Sequence, residues 1–191
     1  MIDIVPALET ERLLLRGWQV EDYEAYAAFS ADDHANRFRG GAVDRDMAWT
    51  NMEALSGGWG LRGYGTFAVE DKESGELAGW AGLWHPARLE EPELCWSIFP
   101  AFAGQGYAGE AAYAALAWWT LIEEQSAPFS MTHPENIASQ RVAQKLGAER
   151  GGDIIFDGRQ SFFFRHQVPQ GSQIKDASQI HDASPTSDAA Q

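Results

Sequence analysis

The stretch Pro100-Ala101-Phe102-Ala103-Gly104-Gln105-Gly106-Tyr107-Ala108-Gly109-Glu110-Ala111 decides how this chain is read, because it sets a glycine-bearing turn between a strand-like run and a long helix. Small residues let a diphosphate approach the main chain, backbone N–H groups can point at it, and the helix N-terminus adds about half a positive charge. No lysine is needed for such a cradle. The segment from Gly104 to Gly109 also satisfies the dinucleotide fingerprint G-x-G-x-x-G. That fingerprint belongs after the first strand of a parallel unit, with an acidic residue closing the next strand. Here it begins at position 104, after several strands, and the following run ends in Thr132-His133-Pro134. The Gly-Lys-Ser/Thr of a nucleoside triphosphate loop is absent. Taken alone, the turn is compatible with a diphosphate-bearing coenzyme, a dinucleotide, or a helix start with glycines for packing.

Working outward, residues 65–70, 77–84 and 93–99 are strand-like runs. Asp71-Lys72-Glu73-Ser74-Gly75 reads as a hairpin turn between the first two, and the polar loop 86–92 precedes the third. Three such neighbours predict an antiparallel meander. Nearer the start, residues 12–16 form a short β run, and residues 19–29 carry Val20, Tyr23, Tyr26 and Ala27 at helical spacing. A second helix is predicted over 44–55, capped by Asp44 and stopped by Ser56-Gly57-Gly58. After the turn, residues 107–124 are Ala-rich and apolar nearly all round, so this helix must lie against a sheet with Trp118 and Trp119 as packing residues. A short buried strand at 129–132 leads to a helix over 136–147 with Asn at its start and Gly at its end. A last hairpin joins 153–156 to 160–165 around Asp157-Gly158. From about residue 167 the composition collapses to Ser, Ala, Asp and Gln, and residues 172–177 are echoed in 178–183. Such a segment buries too little apolar surface to offset its ordering entropy. The expected organisation is one domain over 1–166 and a disordered polar tail over 167–191.

At 191 residues and 45% hydrophobic, the chain supports one domain with a sizeable core. A net charge of −14 argues against nucleic acid as a partner and suits a cationic, amine-bearing one. The single cysteine, Cys95, sits in an apolar run, which reads as a core residue in a reducing compartment rather than a nucleophile or half of a disulfide. No basic segment followed by an apolar one opens the chain, and the longest apolar run, 111–119, falls short of the roughly 20 residues a bilayer requires. The expected location is the cytoplasm, without membrane contact.

Four motifs in order then resemble the Gcn5-related N-acetyltransferase (GNAT) family, in particular the branch of the ribosomal-protein alanine acetyltransferases. The family turn R/Q-x-x-G-x-G/A falls on Ala103, Gly104, Gln105, Gly106, Tyr107 and Ala108. Upstream, Glu93-Leu94-Cys95-Trp96-Ser97-Ile98-Phe99-Pro100 is similar to the branch's E-L/I-G-Y/W-x-L/I-x-P strand. Downstream, Asn136-Ile137-Ala138-Ser139 with Lys145-Leu146-Gly147 matches N-x-x-S followed by K-L-G. The opening Glu9-Thr10-Glu11-Arg12-Leu13-Leu14-Leu15-Arg16 is similar to E-T-x-R-L-x-L-R. The chain departs from the family at Ala103, which lacks one possible diphosphate contact, and at Cys95 and Gly109.

The resemblance implies an α+β (mixed α/β) GNAT-like fold, with a central, mostly antiparallel, twisted sheet of about six or seven strands and about four helices, splayed between the fourth and fifth strands. It implies acetyl-coenzyme A as co-substrate, no metal, and an N-acetyltransferase acting on a primary amine of a small molecule or a peptide N-terminus, as a monomer or homodimer. Trp96, Ser97 and Ile98 would line the pantetheine arm in the splay, and the turn residues with Asn136 and Ser139 would hold the coenzyme. Direct attack in a ternary complex is expected, because no nucleophile with a partnered base is visible. A backbone N–H near Ile98 would stabilise the developing oxyanion. Glu93 is the candidate base and Ser139 the candidate acid, while His85 and His133 stand at strand ends facing the same cleft. Specificity is expected from residues 20–58 and 86–92, with Trp49, Trp59, Trp84 and Trp96 as candidate pocket aromatics. Two other readings stand beside this one: a non-catalytic acyl-coenzyme A-binding module of the same fold, and a dinucleotide oxidoreductase.

Overall fold

The structure, a computed structural model, describes residues 5–122 and 126–167. The tail beyond 167 and the predicted end of the long helix at 124 lie outside the described residues. Among the described residues eight strands make one sheet: β1 (Leu8–Glu9), β2 (Leu13–Arg16), β3 (Thr66–Asp71), β4 (Leu77–Trp84), β5 (Glu93–Ile98), β6 (Phe129–Thr132), β7 (Glu149–Phe156) and β8 (Arg159–Arg165). Their spatial order is β1-β2-β3-β4-β5-β6-β8-β7, and every neighbouring pair is antiparallel except β5 with β6. The helices are α1 (Tyr23–Ser30), α2 (Asp33–Asn36), α3 (Arg45–Arg62), α4 (Tyr107–Leu121) and α5 (Ile137–Lys145). The mixed fold and the meander match the expectation. The two-residue β1 and the one-turn α2 are additions too short to carry a periodic signal.

One element runs against the sequence reading. The expected stop at Ser56-Gly57-Gly58 does not end α3, which continues to Arg62 and closes on Gly63 in the left-handed conformation. Trp59 explains this. Its side chain is buried and its indole N–H donates to the Thr66 carbonyl at 3.0 Å, so packing overrides the helix-breaking tendency of the glycines. Gly58 is needed there for another reason, since a Cβ on it would stand 3.0 Å from the Tyr64 carbonyl oxygen.

The sheet is covered on both faces. Tyr107, Ala111, Ala115 and Trp119 of α4, spaced four apart, pack with Leu13, Leu15, Phe67, Val69, Leu83 and Leu94 of the strands. Alanines at the contact let the helix approach closely. On the other face, Tyr26, Ala27 and Phe29 of α1 and Ala48 and Met52 of α3 pack on Ala68, Leu77 and Trp80. Ala143 of α5 packs with Phe164 of β8. Asp157 (φ 49°) and Gly158 (φ 74°) make the predicted tight turn of the last hairpin.

Candidate functional site

β5 and β6 share a single register pair, Glu93 opposite Phe129, and then part. Side chains end the ladder. The Ser130 hydroxyl donates to the Leu94 carbonyl at 2.6 Å, taking the acceptor that a β6 backbone N–H would otherwise use. His166 Nε2 meets the same hydroxyl at 2.7 Å, and His166 is only 1% exposed. With the Ser130 proton directed to Leu94, Nε2 carries the imidazole proton. Nδ1 is then a buried acceptor without a partner among the described residues. Burial first, and the Arg165 charge second, lower the His166 pKa to about 4.

Stability should therefore depend on pH through this histidine. A neutral base held below its unfolded value near 6.5 contributes stability at neutral pH, and that contribution is lost as pH falls from 6.5 through about 4. Urea unfolding of wild type at pH 7.5 and pH 5 should differ by ~2 kcal/mol more than the same comparison in His166→Gln.

Beyond the parting, alternation along β5 fixes what the cleft offers. The Leu94 carbonyl points toward β6, whereas the Phe99 N–H donates to the Ala78 carbonyl on the β4 side. In an extended strand the hydrogen-bonding groups alternate, so the main chain of Trp96 and Ile98 faces the cleft while that of Ser97, opposite Trp80, turns to β4. The backbone predicted to receive an extended arm is thus open at Trp96 and Ile98.

Glu93 stands where the strands part, 7% exposed, with Oε1 accepting the Met131 N–H at 3.0 Å. Burial raises its carboxyl to about 7, against the opposing pull of the Met131 N–H and of the charges on Arg39 and Arg88. It lines a cavity of about 410 Å³ together with Cys95, Trp96, Thr132, His133, Asn136 and Ser139. The far wall comes from Tyr26, Phe38, Arg39, Asn51, Leu55, Trp80 and Trp84, with Arg88, Phe156 and Arg159 closing it. The two segments expected to carry specificity therefore meet the candidate base in one space.

Asn136 caps α5, its Oδ1 accepting the Ser139 N–H at 3.2 Å, and both residues face the cavity. The Thr132 hydroxyl is buried without a partner among the described residues and lines the same cavity. His133 lines it too, whereas His85 is engaged elsewhere: Tyr64 Oη lies 2.5 Å from its Nδ1, and its Nε2 donates to the Leu89 carbonyl at 3.0 Å. Of the four tryptophans singled out, Trp84 and Trp96 line the cavity, Trp59 is core, and Trp49 stacks edge-on against Tyr23. Trp80 and Arg39 were not foreseen. Cys95 is no nucleophile, since burial pushes its thiol up and Sγ rests 3.5 Å from the Gly82 carbonyl.

The glycine turn follows β5. Gly104 (φ 80°) and Gly106 (φ 88°) are left-handed, and Gly106 is the N-cap of α4. Among the described residues, the N–H groups of Gly104, Gln105, Gly106, Tyr107 and Ala108 have no backbone acceptor. The loop before β2 grips this turn. Arg12 Nη1 donates to the Gln105 carbonyl at 2.8 Å, its Nε and Nη2 donate to Glu110 Oε2 at 2.8 and 2.5 Å, and Thr10 Oγ1 donates to Glu110 Oε1 at 2.6 Å. Drawing the Gln105 carbonyl toward Arg12 turns the N–H of the same trans peptide, that of Gly106, to the opposite side. The guanidinium also neutralises Glu110, whose carboxylate would otherwise oppose an anion at the helix start. Ala103 brings only a methyl group, and Arg12 sets a cation beside the turn.

These features fit a diphosphate-bearing coenzyme: a run of free N–H donors at a helix start, no Cβ on Gly104 or Gly106, and an unpaired strand edge leading to a buried carboxyl. The sequence profile of the acetyltransferase (GNAT) domain family matches residues 12–149. An uncharacterised N-acetyltransferase of Bacillus subtilis, YnaD, is 25% identical over 167 residues, covering 87% of this chain and 90% of that one. The crystal structure of an acetyltransferase from Agrobacterium tumefaciens superposes with a TM-score of 0.75 at 29% identity, covering 85% of this chain and 94% of that one. A ribosomal-protein alanine acetyltransferase from Vibrio fischeri shares the fold, with a TM-score of 0.69 at 15% identity over 86% of this chain and 97% of that one. With the profile spanning well over half of its length, the chain belongs to the GNAT acetyltransferases.

Proposed function

We propose that this protein transfers an acetyl group from acetyl-coenzyme A to a primary amine by direct attack in a ternary complex, with Glu93 as the general base. One observation carries the reading: a carboxyl raised to about 7 by burial lines the cavity at the point where β5 and β6 part. A base of that pKa is half ionised at neutral pH and still able to accept a proton.

The donor supplies an electrophilic thioester carbonyl and a thiolate leaving group. The turn N–H groups from Gly104 to Ala108 hold its diphosphate, with Arg12 keeping the Gln105 carbonyl out of the way. The main chain of Trp96 and Ile98 pairs with the extended arm, and the Ile98 N–H donates to the carbonyl oxygen as negative charge gathers there. Glu93 takes a proton from the acceptor ammonium. The freed amine nitrogen bonds to the carbonyl carbon as the carbon–sulfur bond breaks, the sulfur leaves with the electron pair, and the Ser139 hydroxyl on the cavity wall gives it a proton while taking back the extra proton that the nitrogen sheds as the amide forms. Asn136, its Oδ1 engaged at the helix cap, offers its amide N–H groups to the coenzyme. No observation favours the non-catalytic or dinucleotide readings.

The test is release of free thiol from acetyl-coenzyme A across a panel of primary amines. Tight coenzyme binding without release by any amine would remove the transferase assignment. For the turn, Arg12→Ala should weaken coenzyme A binding about tenfold by calorimetry, equivalent to ~1.4 kcal/mol, and Arg12→Lys should recover only part of it.

A further inference from the structure

The chain carries twice as many acidic as basic residues, 28 against 14, yet the cavity beside Glu93 gathers three arginines, Arg39, Arg88 and Arg159. Their environments differ. Arg88 is neutralised by Asp157 at 2.9 Å and lies between Trp84 and Phe156, 5.1 and 4.9 Å from the ring centres. Arg39 and Arg159 have no carboxylate within ion-pair distance among the described residues. Arg39 instead spreads over Trp80, 4.3 Å from the ring centre.

The backbone brings these two arginines to the same mouth. Gly40, next to Arg39, has φ 114°, and a Cβ on it would stand 2.8 Å from Arg159 Nη2. A side chain there would push the β8 arginine off the loop that carries Arg39. Two guanidinium groups on one cavity wall, neither held by a carboxylate among the described residues, offer an anion two unneutralised forked donors. Among the described residues, the carboxyls on the cavity wall are Asp157, engaged by Arg88, and Glu93, held half protonated at neutral pH. Tyr26, Phe38, Trp80 and Trp84 add an aromatic stretch to the same wall.

We infer that the acceptor is a small amine bearing a carboxylate, of amino-acid type, with its amine toward Glu93, its carboxylate on Arg39 and Arg159, and its apolar body on the aromatic wall. This rests on the acetyl-transfer reading above and narrows it. The positive lining runs opposite to the overall charge, so the net −14 does not describe what the cavity selects.

The experiment compares L-amino acids, their C-terminal amides, and the polyamine spermidine as acceptors in thiol release. The same compounds are then titrated calorimetrically onto the full chain saturated with coenzyme A. Removing the carboxylate should lower kcat/KM and affinity by roughly 10–100-fold for the preferred side chain. Arg39→Gln and Arg159→Gln should bring the acid-to-amide ratio toward one, while Arg39→Lys keeps part of it and guards against a folding defect. Amides or spermidine performing as well as amino acids in both measurements overturn the inference, as does an unchanged ratio in folded Arg39→Gln. The two layers separate cleanly. Carboxylate-dependent binding without thiol release upholds the acceptor class and removes the transferase reading, whereas equal acetylation of acids and amides does the reverse.

Discussion

Glu93→Gln is expected to lower kcat/KM for the best amine by about 10²–10⁴-fold, the contribution of a positioned general base. The pH dependence is the sharper readout. Wild-type kcat/KM should rise with pH and level off near 7, where Glu93 becomes ionised and can take the proton of the bound ammonium. In the variant no side chain accepts that proton, so the rate should keep rising until the amine loses it in solution. The break moves from about 7 to the pKa of the acceptor itself. An unchanged break would remove Glu93 from the chemistry.

The same substitution should move stability the other way. A carboxyl raised from its ordinary 4.5 to about 7 binds its proton more tightly in the folded state, so it favours folding at low pH. That advantage disappears as pH rises through 7. Glutamine carries no such dependence and can still accept the Met131 N–H through its amide oxygen. At pH 8 the variant should therefore exceed wild type by up to ~3 kcal/mol in urea unfolding, converging with it toward pH 4. Greater stability with lost activity is what a functional carboxyl predicts, and a structural one would lose both.

What the sequence discloses and what it hides divide along contact range. The turn was legible because its chemistry is local: two glycines in the left-handed region, a helix opening at Tyr107, and a strand ending two residues before Pro100 all follow from neighbours in the chain. Asn136 as the cap of α5 was legible for the same reason. The splay was expected only through family resemblance, since its local cause, Ser130 reaching the Leu94 carbonyl with His166 behind it, joins residues 36 apart. Arg12 reaches Glu110 across 98 residues, so nothing near the turn reveals what replaces the contact missing at Ala103. Arg39 lay in a segment without a motif. The pair of adjacent glycines after it, both at positive φ, was the one available signal that another side chain must approach there. The misjudged end of α3 belongs to the same class, because a buried Trp59 outweighs three glycines only once the sheet is present.

Gly79→Ala should be the most damaging substitution outside the cavity. Gly79 adopts φ 152°, and a Cβ on it would stand 2.1 Å from the Ser97 carbonyl oxygen and 2.9 Å from the Ile98 Cα. Neither atom belongs to a flexible side chain, so β4 and β5 must separate or the backbone of β5 must rotate. The expected cost is ~3 kcal/mol or more, which lowers Tm by about 10 °C for a domain of this size. Because the displaced atoms include Ile98, whose main chain faces the cleft, coenzyme A affinity should fall even at temperatures where the variant is folded. Gly57→Ala is the matched control. That glycine lies inside α3 with nothing within 4 Å of the added carbon, so alanine should raise stability by up to ~1 kcal/mol through helix propensity alone. A Gly79→Ala protein with wild-type Tm and coenzyme affinity would mean that β4 and β5 do not approach as closely as this register requires.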